Sequence, residues 1–208
     1  MSRWKREGYS LVELMIAMAL TAIVLVGLMA LFSYGTHNMR ITQAMVALQN
    51  QAKDATNHIS TYAMEANDIE WYADKGVLRI KKPVLSNDGG AGGAVTPSPV
   101  TGSPKVETET CYYWMAKNGD EGAICFAKKK TAEITDEEED IDNLPSVIDQ
   151  QYLLVDDIYE DSGEGIKGFE CEVKENDTTG KKVLHVEINL KNDRAKFQCK
   201  KDIYMRNQ

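Results

Sequence analysis

The chain has 208 residues, of which 43% are hydrophobic, and its formal net charge at pH 7 is −8. This length predicts a single globular domain with a buried core. The acidic balance argues against a nucleic-acid-binding protein, because binding to phosphates requires clustered Lys and Arg.

The N-terminal segment combines a basic leader with a long apolar run. The leader, MSRWKREG, holds three basic residues, and the apolar run covers residues 9–32. As a helix this run is about 36 Å long, enough to cross a bilayer core of about 30 Å. The basic leader predicts a cytoplasmic N-terminus. The run is too long for a secretory signal peptide, and no small-residue cleavage site closes it.

One carboxylate, Glu13, interrupts the apolar run. An ionised carboxylate in a membrane helix costs about 2.5–3.5 kcal/mol at the centre and less near the interface. A plain membrane anchor has no use for such a group. We therefore expect Glu13 to have a partner.

The sequence GYSLVE at residues 8–13 resembles the class III signal of type IV prepilins and type II secretion pseudopilins. In that family a basic leader and a Gly precede an aromatic residue, three further residues, a Glu and a long apolar helix. The resemblance implies that prepilin peptidase cleaves after Gly8 and N-methylates Tyr9. It also implies that Glu13 pairs with the methylated ammonium of Tyr9 in a neighbouring subunit. Tyr9 stands where Phe is commoner, and no Pro lies near Ala30, where many major pilins have one.

A buried ion pair of this kind would fix the stagger between subunits. Breaking one half leaves the other charge buried without compensation, so only correctly placed subunits assemble. The alternative is a single-span, membrane-anchored binding domain that does not polymerise. The two hypotheses differ at Gly8 and Glu13, because a plain anchor needs neither residue.

Beyond the membrane segment, an apolar stripe predicts that the helix continues and packs on a sheet of the same chain. The stripe repeats at alternating spacings of four and three and comprises Ile41, Met45, Leu48, Ala52, Ala55, Ile59, Tyr62, Ala66 and Ile69. We therefore divide the chain into a leader (1–8), a transmembrane and assembly helix (9–32), an amphipathic helix (33–70) and an extracytoplasmic β domain (71–208). Residues 83–107 hold four of the five prolines and no periodicity, which predicts a mobile loop within that domain.

The β domain contains several strand patterns. Residues 76–80 predict a short strand, and residues 111–115 and 123–127 predict a hairpin around a turn-rich stretch. Residues 152–158 alternate loosely. Three alternating segments follow, and a turn at Asn192 and Asp193 would set Leu190 opposite Ala195, Ile188 opposite Phe197 and Val186 opposite Cys199. The predicted fold class is α+β, a long N-terminal α-helix packed on a C-terminal antiparallel β-meander, as in type IV pilins.

The strand order and the ending DIYMRNQ resemble the J/W type of minor pseudopilin. That type forms a tip complex with other minor subunits and primes filament growth. The capping subunit of the K type typically lacks the Glu, so Glu13 argues against that type. The resemblance implies as partners prepilin peptidase, other major and minor pilins or pseudopilins, an inner-membrane assembly platform and, before assembly, the membrane. No nucleic-acid partner is predicted.

Four cysteines in an exported domain predict disulfide bonds. Cys111 and Cys125 flank the predicted hairpin, and we expect them to bond. In a sequential meander Cys171 and Cys199 would flank Val186 from opposite sides, about 9.6 Å apart, which is too far for a disulfide. They bond only if the strand order is not sequential, and are otherwise small buried hydrophobic residues.

The sequence predicts no enzyme and no cofactor. It has no C-x-x-C pair for zinc, and His37, His58 and His185 are scattered, so no catalytic triad can be proposed. Two acidic stretches could hold calcium, which some pseudopilins bind, but they lack the central Gly and terminal Glu of an EF-hand loop. We interpret them as solvated acidic segments, formed by residues 135–142 and by Asp156, Asp157, Glu160, Asp161 and Glu164.

Overall fold

The computed structural model describes residues 10–85, 106–118, 121–130, 141–175 and 181–206. The chain divides into two compact units, residues 1–44 and 45–208. The described elements are α1 (Leu11–Met64), β1 (Asp68–Tyr72), β2 (Val77–Leu85), β3 (Val106–Asn118), β4 (Glu121–Lys130), β5 (Leu153–Ile158), β6 (Phe169–Glu175), β7 (Lys182–Lys191) and β8 (Lys196–Tyr204).

In the second unit, α1 packs one face against the sheet. The buried helical residues recur every three or four positions, with Thr56 and Ser60 filling out the same face, and several have small side chains that let the helix backbone approach the sheet closely. They are Leu48, Ala52, Ala55, Thr56, Ile59, Ser60 and Ala63. Two stripe residues on either side of the boundary between the units are more open: Ile41, in the first unit, is 36% exposed, and Met45, the first residue of the second unit, is 42% exposed. The amphipathic packing of the helix on the sheet is confirmed.

The helix ends at Met64, earlier than the predicted boundary at residue 70. The N–H of Arg206 donates to the carbonyl of Met64 at 3.2 Å, which satisfies one of the carbonyls left open at a helix end. Ile69, assigned to the helical stripe by its spacing, is buried in β1. β-Branched and aromatic residues after Asn67 favour a strand, and this preference overrides the continuing spacing.

All strand pairs are antiparallel, and the described strands form one sheet in the order β1-β2-β3-β4-β5-β7-β6, with β8 also paired to β7. β7 is therefore the central strand of the C-terminal half. β6 pairs with it from Phe169 opposite Ile188 onward, and β5 joins it through Ile158 opposite Leu190. The antiparallel fold is confirmed, although β5 pairs with β7 rather than with its sequence neighbour β6.

The register of the last hairpin differs from the prediction by two residues. Leu190 lies opposite Phe197 and Ile188 opposite Cys199, because residues 192–195 form a longer connection than the two-residue turn expected. The N–H groups of Arg194 and Ala195 donate to the side-chain oxygen of Asn192 at 3.0 and 2.9 Å, which shapes this connection. A shift of two keeps the same side chains on the same face.

At β2–β4 the sheet is covered on both faces. The main core lies between α1 and the sheet and includes Ile59, Tyr113 and Ile188. A second core lies on the opposite face of β2–β4, where residues 141–152 pack Ile141, Leu144, Ile148 and Tyr152 against Val77, Tyr112, Trp114 and Cys125. The indole N–H of Trp114 donates to the Pro145 carbonyl at 2.8 Å and ties this segment down.

The predicted loop of residues 83–107 lies mostly outside the described residues. Its two ends are described and belong to strands, with residues 83–85 in β2 and residues 106–107 in β3. Residues 135–140 of the first acidic stretch also lie outside the described part of the chain.

Candidate functional site

The first unit presents apolar side chains to the surroundings on every side of α1. Every large hydrophobic residue from Leu11 to Phe32 is more than half exposed, from 54% at Leu25 to 75% at Leu11. By length and composition this part of α1 could cross a membrane. An apolar helix surface of this extent needs lipid or other helices as its surroundings.

Glu13 lies in the first turn of α1 and is bonded to its own chain. The Ser10 N–H donates to Glu13 Oε2 at 3.1 Å, and the Ser10 carbonyl accepts from the Leu14 N–H at 3.2 Å. Ser10 is therefore the N-cap residue and Glu13 occupies the third helical position. A Glu at that position reaching back to the N-cap N–H is one half of a capping box.

The sequence interpretation missed this arrangement, although Ser10-Leu11-Val12-Glu13 carries its S-x-x-E signature. The family resemblance assigned Glu13 to a neighbouring subunit and left its contacts within the chain unconsidered. The negative charge also lies at the helix end where the macrodipole is positive, which stabilises it.

Residues 5–29 match the family model described as the prokaryotic N-terminal methylation motif. The chain carries a prepilin-type methylation motif. The match covers the second half of the leader, from Lys5 to Gly8, together with Tyr9, Glu13 and most of the apolar run. Comparisons with curated proteins and with solved structures found no match. The architecture that follows the motif, a long helix packed on an antiparallel sheet, is pilin-like.

Of the motif residues singled out by sequence, Glu13 is described by the structure, whereas Gly8 and Tyr9 lie outside the described residues. Cleavage after Gly8, methylation of Tyr9 and pairing of Glu13 with another subunit therefore stay predictions. The methylation motif nevertheless places these residues in the sequence context in which that processing occurs.

The predicted bond between Cys111 and Cys125 is wrong for this fold. All four cysteines are free, and Cys125 lies opposite Trp114, three positions along β3 from Cys111. Side chains an odd number of residues apart point to opposite faces of a sheet. Cys111 accordingly lies in the core beneath α1, and Cys125 lies in the second core.

Cys171 and Cys199 lie on opposite sides of β7, with Cys171 opposite Val186 and Cys199 opposite Ile188. Because β7 separates them, this geometry does not bring the two thiols together. Burial raises the pKa of the Cys171 thiol well above its ordinary value. Burial likewise raises the pKa of Cys111 to about 12. Both thiols therefore stay protonated at neutral pH.

The second acidic stretch includes a loop organised by its own hydrogen bonds. Asp161 accepts from the Tyr159 hydroxyl at 2.7 Å and from the Gly163 N–H at 2.9 Å. These bonds, that of Tyr159 first, lower the pKa of Asp161. Within the described residues no group of three His, Cys, Asp or Glu side chains is placed to hold a metal ion.

The described histidines occupy separate environments. His58 Nδ1 lies 3.0 Å from the Tyr113 hydroxyl, in an aromatic cluster that joins His58 and Tyr62 of α1 to Phe126 of β4. His185 Nδ1 lies 2.5 Å from an Asp202 oxygen on the neighbouring strand. These partners belong to structural contacts within the C-terminal unit, so the geometry offers no basis for assigning catalysis to them.

Proposed function

We propose that this protein is a pilin or pseudopilin subunit that is cleaved after Gly8, methylated at Tyr9 and built into a filament through α1. The observation that carries the proposal is the methylation motif of residues 5–29, together with the exposure of apolar side chains on every side of α1 from Leu11 to Phe32. Processing requires prepilin peptidase, and assembly requires other pilins or pseudopilins and an inner-membrane assembly platform.

The exposed part of α1 has two environments in this proposal. Before assembly it crosses the membrane, with its basic leader in the cytoplasm and the C-terminal unit outside. After assembly the same surface packs against the helices of neighbouring subunits. In both states Glu13 lies in apolar surroundings, where a charge requires a hydrogen-bonded partner.

The finer part of the proposal is a minor subunit located at the filament tip. Its support is the resemblance of the last strands and of the DIYMRNQ ending to the J/W type, together with the eight strands that the described part of the second unit contains. The retained Glu13 separates the chain from the K-type capping subunit. The machine it serves is a type IV pilus, a type II secretion system or a competence system.

The proposal is tested by the mass of the N-terminal peptide from cells that carry the native machinery. A peptide beginning at N-methylated Tyr9 is expected. A peptide beginning at Met1 or Ser2 would overturn the proposal and favour the single-span anchored binding domain, for which Gly8 and Glu13 have no role.

A pair of glycine variants sharpens this test. Gly8→Leu should leave the full-length chain in the membrane, because the peptidase motif requires Gly at this position. Gly27→Leu is the matched control, since a side chain added at Gly27 meets no atom within 4 Å and the residue lies in the same apolar segment. Normal maturation of Gly8→Leu would contradict the assignment of the cleavage site.

A further inference from the structure

The first turn of α1 holds the Glu13 carboxylate through one backbone donor. The Ser10 N–H lies 3.1 Å from Glu13 Oε2, and the Ser10 carbonyl receives the first helical bond, from Leu14, at 3.2 Å. The helix start and the position of the carboxylate are therefore fixed by the same residue. The methylation motif spans both Ser10 and Glu13, so under the proposed function this turn lies at the processed and assembling end of the chain.

We infer that Ser10 is a positioning residue for assembly: its backbone N–H is a resident donor that orients Glu13 before the carboxylate meets the ammonium of a neighbouring subunit. The inference rests on the proposed function and deepens it. It assigns the role to the peptide N–H of Ser10, so the hydroxyl group is dispensable.

The chemistry of a carboxylate allows both bonds at once. An ionised Glu accepts several hydrogen bonds on its two oxygens, so a bond from Ser10 leaves capacity for an ammonium. In apolar surroundings an ion pair stabilises an assembly only when its remaining polar atoms are also satisfied. The Ser10 N–H meets part of that requirement within the subunit.

Orientation before contact also lowers the entropic cost of assembly. A free Glu side chain must give up rotamer freedom when it binds a partner, whereas a capped Glu has lost part of that freedom already. The helix N-terminus adds its positive dipole to the same position. Each subunit therefore arrives with its carboxylate in place, and assembly has only to supply the ammonium.

The first test compares two substitutions of Ser10 in the full-length chain, expressed with its native machinery. Ser10→Pro removes the N–H, and a Pro at a helix N-cap does not break the helical bonds that follow. Ser10→Ala keeps the N–H and removes only the hydroxyl. Incorporation of Ser10→Pro into sheared filaments should fall about fivefold, the effect of losing one hydrogen bond, while Ser10→Ala remains near wild type. Equal incorporation of the two variants would overturn the inference.

The second test does not depend on processing or on filaments. Exchange of the Ser10 amide proton is measured by NMR in the full-length chain in detergent micelles. The amide should exchange at least about tenfold faster in Glu13→Ala than in wild type, because a bond to a charged acceptor is lost. Glu13→Gln keeps an acceptor and should retain much of the protection. An exchange rate in Glu13→Ala equal to that of wild type would overturn the inference, even if Ser10→Pro is not cleaved.

Failure of this inference and failure of the proposed function give different results. If wild-type protein is not processed at Tyr9 and does not enter filaments, the proposed function fails, whatever the Ser10 amide does. If wild type is processed and incorporated but Ser10→Pro assembles like Ser10→Ala, only the positioning role of Ser10 fails.

Discussion

Two isoleucines of the same helix have opposite environments. Ile23 in the first unit is 69% exposed, whereas Ile59 in the second unit is fully buried against the sheet. Both residues satisfy the same helical geometry. The comparison shows that α1 serves two kinds of packing, one completed within the chain and one that other molecules must complete.

The arrangement of polar residues separates the two segments. From Leu11 to Phe32 apolar side chains occur on every side of the helix, and Glu13 is the only charged residue. In the second unit the buried face alternates with exposed Lys53, Asp54 and Asn57. An amphipathic helix can bury its single apolar face in its own domain, but a helix that is apolar all round cannot.

The largest expected effect is on filament incorporation, and it compares a carboxylate of the first unit, Glu13, with one of the second unit, Asp54. Glu13→Ala should be processed normally but should lose filament incorporation about a hundredfold or more, because an unmatched buried ammonium remains in the partner. Asp54→Ala is the matched control, since Asp54 is an exposed carboxylate on the same helix. Quantitative immunoblots of sheared filaments measure the difference. Unchanged incorporation of Glu13→Ala would contradict the charge pairing.

The isoleucine pair gives the next largest effect, now on folding. Ile59→Ala should lower the free energy of unfolding of the C-terminal unit by about 2–5 kcal/mol, because it opens a cavity in a closed core. Ile23→Ala should leave that free energy unchanged, because Ile23 contributes nothing to this core. Chemical denaturation in mild detergent, followed by tryptophan fluorescence, measures both. Equal destabilisation by the two variants would contradict the division into units.

The helix and the hairpins could be predicted because their signals are local. The spacing of Leu48, Ala52, Ala55 and Ile59 predicts the buried face of the helix. The alternation of apolar and polar residues within 184–190 predicts the central strand. The predictions that failed required knowledge of a connection length or of an alignment between strands. The strand register at Cys199 depends on the length of the connection at residues 192–195. Whether Cys111 and Cys125 face the same side of the sheet depends on whether β3 and β4 align them an even or an odd number of residues apart.

The second core was not predicted for a different reason. Ile141, Leu144 and Ile148 are spaced by three and four, as on a helical face, but Pro145 interrupts this short segment and acidic residues flank it, so the sequence favours a solvated acidic stretch. These apolar side chains are packed in the fold because Tyr112 and Trp114 lie on the outer face of β3. The capping bond at Glu13 was readable from the sequence and was missed because a different role was already assigned to that residue.

A smaller effect should appear in the pH dependence of the second unit. Burial lowers the pKa of His58 below its ordinary value of 6.5. The unfolded chain then binds the proton more readily than the folded one, so stability is full above about pH 6.5 and falls as the pH drops toward the folded pKa. The Tyr113 hydroxyl lies 3.0 Å from His58 Nδ1, so the two side chains share a hydrogen bond in the folded unit.

Two histidine variants measure this contribution. One proton contributes at most about 1.4 kcal/mol per pH unit to the slope of the free energy of unfolding against pH. We expect less from His58, because its ring is partly solvated. His58→Gln should remove that part of the slope between pH 7.5 and 5. His37→Gln, at an exposed position of the first unit, should leave the slope unchanged. The assignment would be wrong if His58→Gln kept the full wild-type slope.

The smallest effect concerns the cysteines, all four of which belong to the second unit. Cys111, Cys125 and Cys171 are buried, and burial raises the pKa of each thiol, so these groups are both shielded and protonated at neutral pH. Cys199 is half-buried. A maleimide reagent should therefore modify Cys199 first in the native protein and reach the other three thiols only after unfolding.

Peptide mapping without reduction completes this test. Because Cys111 and Cys125 face opposite sides of the sheet, oxidation of the folded protein should not link them, and their peptides should keep the masses of free thiols. A Cys111–Cys125 peptide pair isolated from folded protein would require β3 and β4 to slip by an odd number of residues. Such a slip would turn the inward-facing side chains of one strand outward and disrupt the core in which Ile59 is buried. The state of the thiols therefore tests the packing that buries Ile59 in the second unit, a packing in which Ile23 has no part.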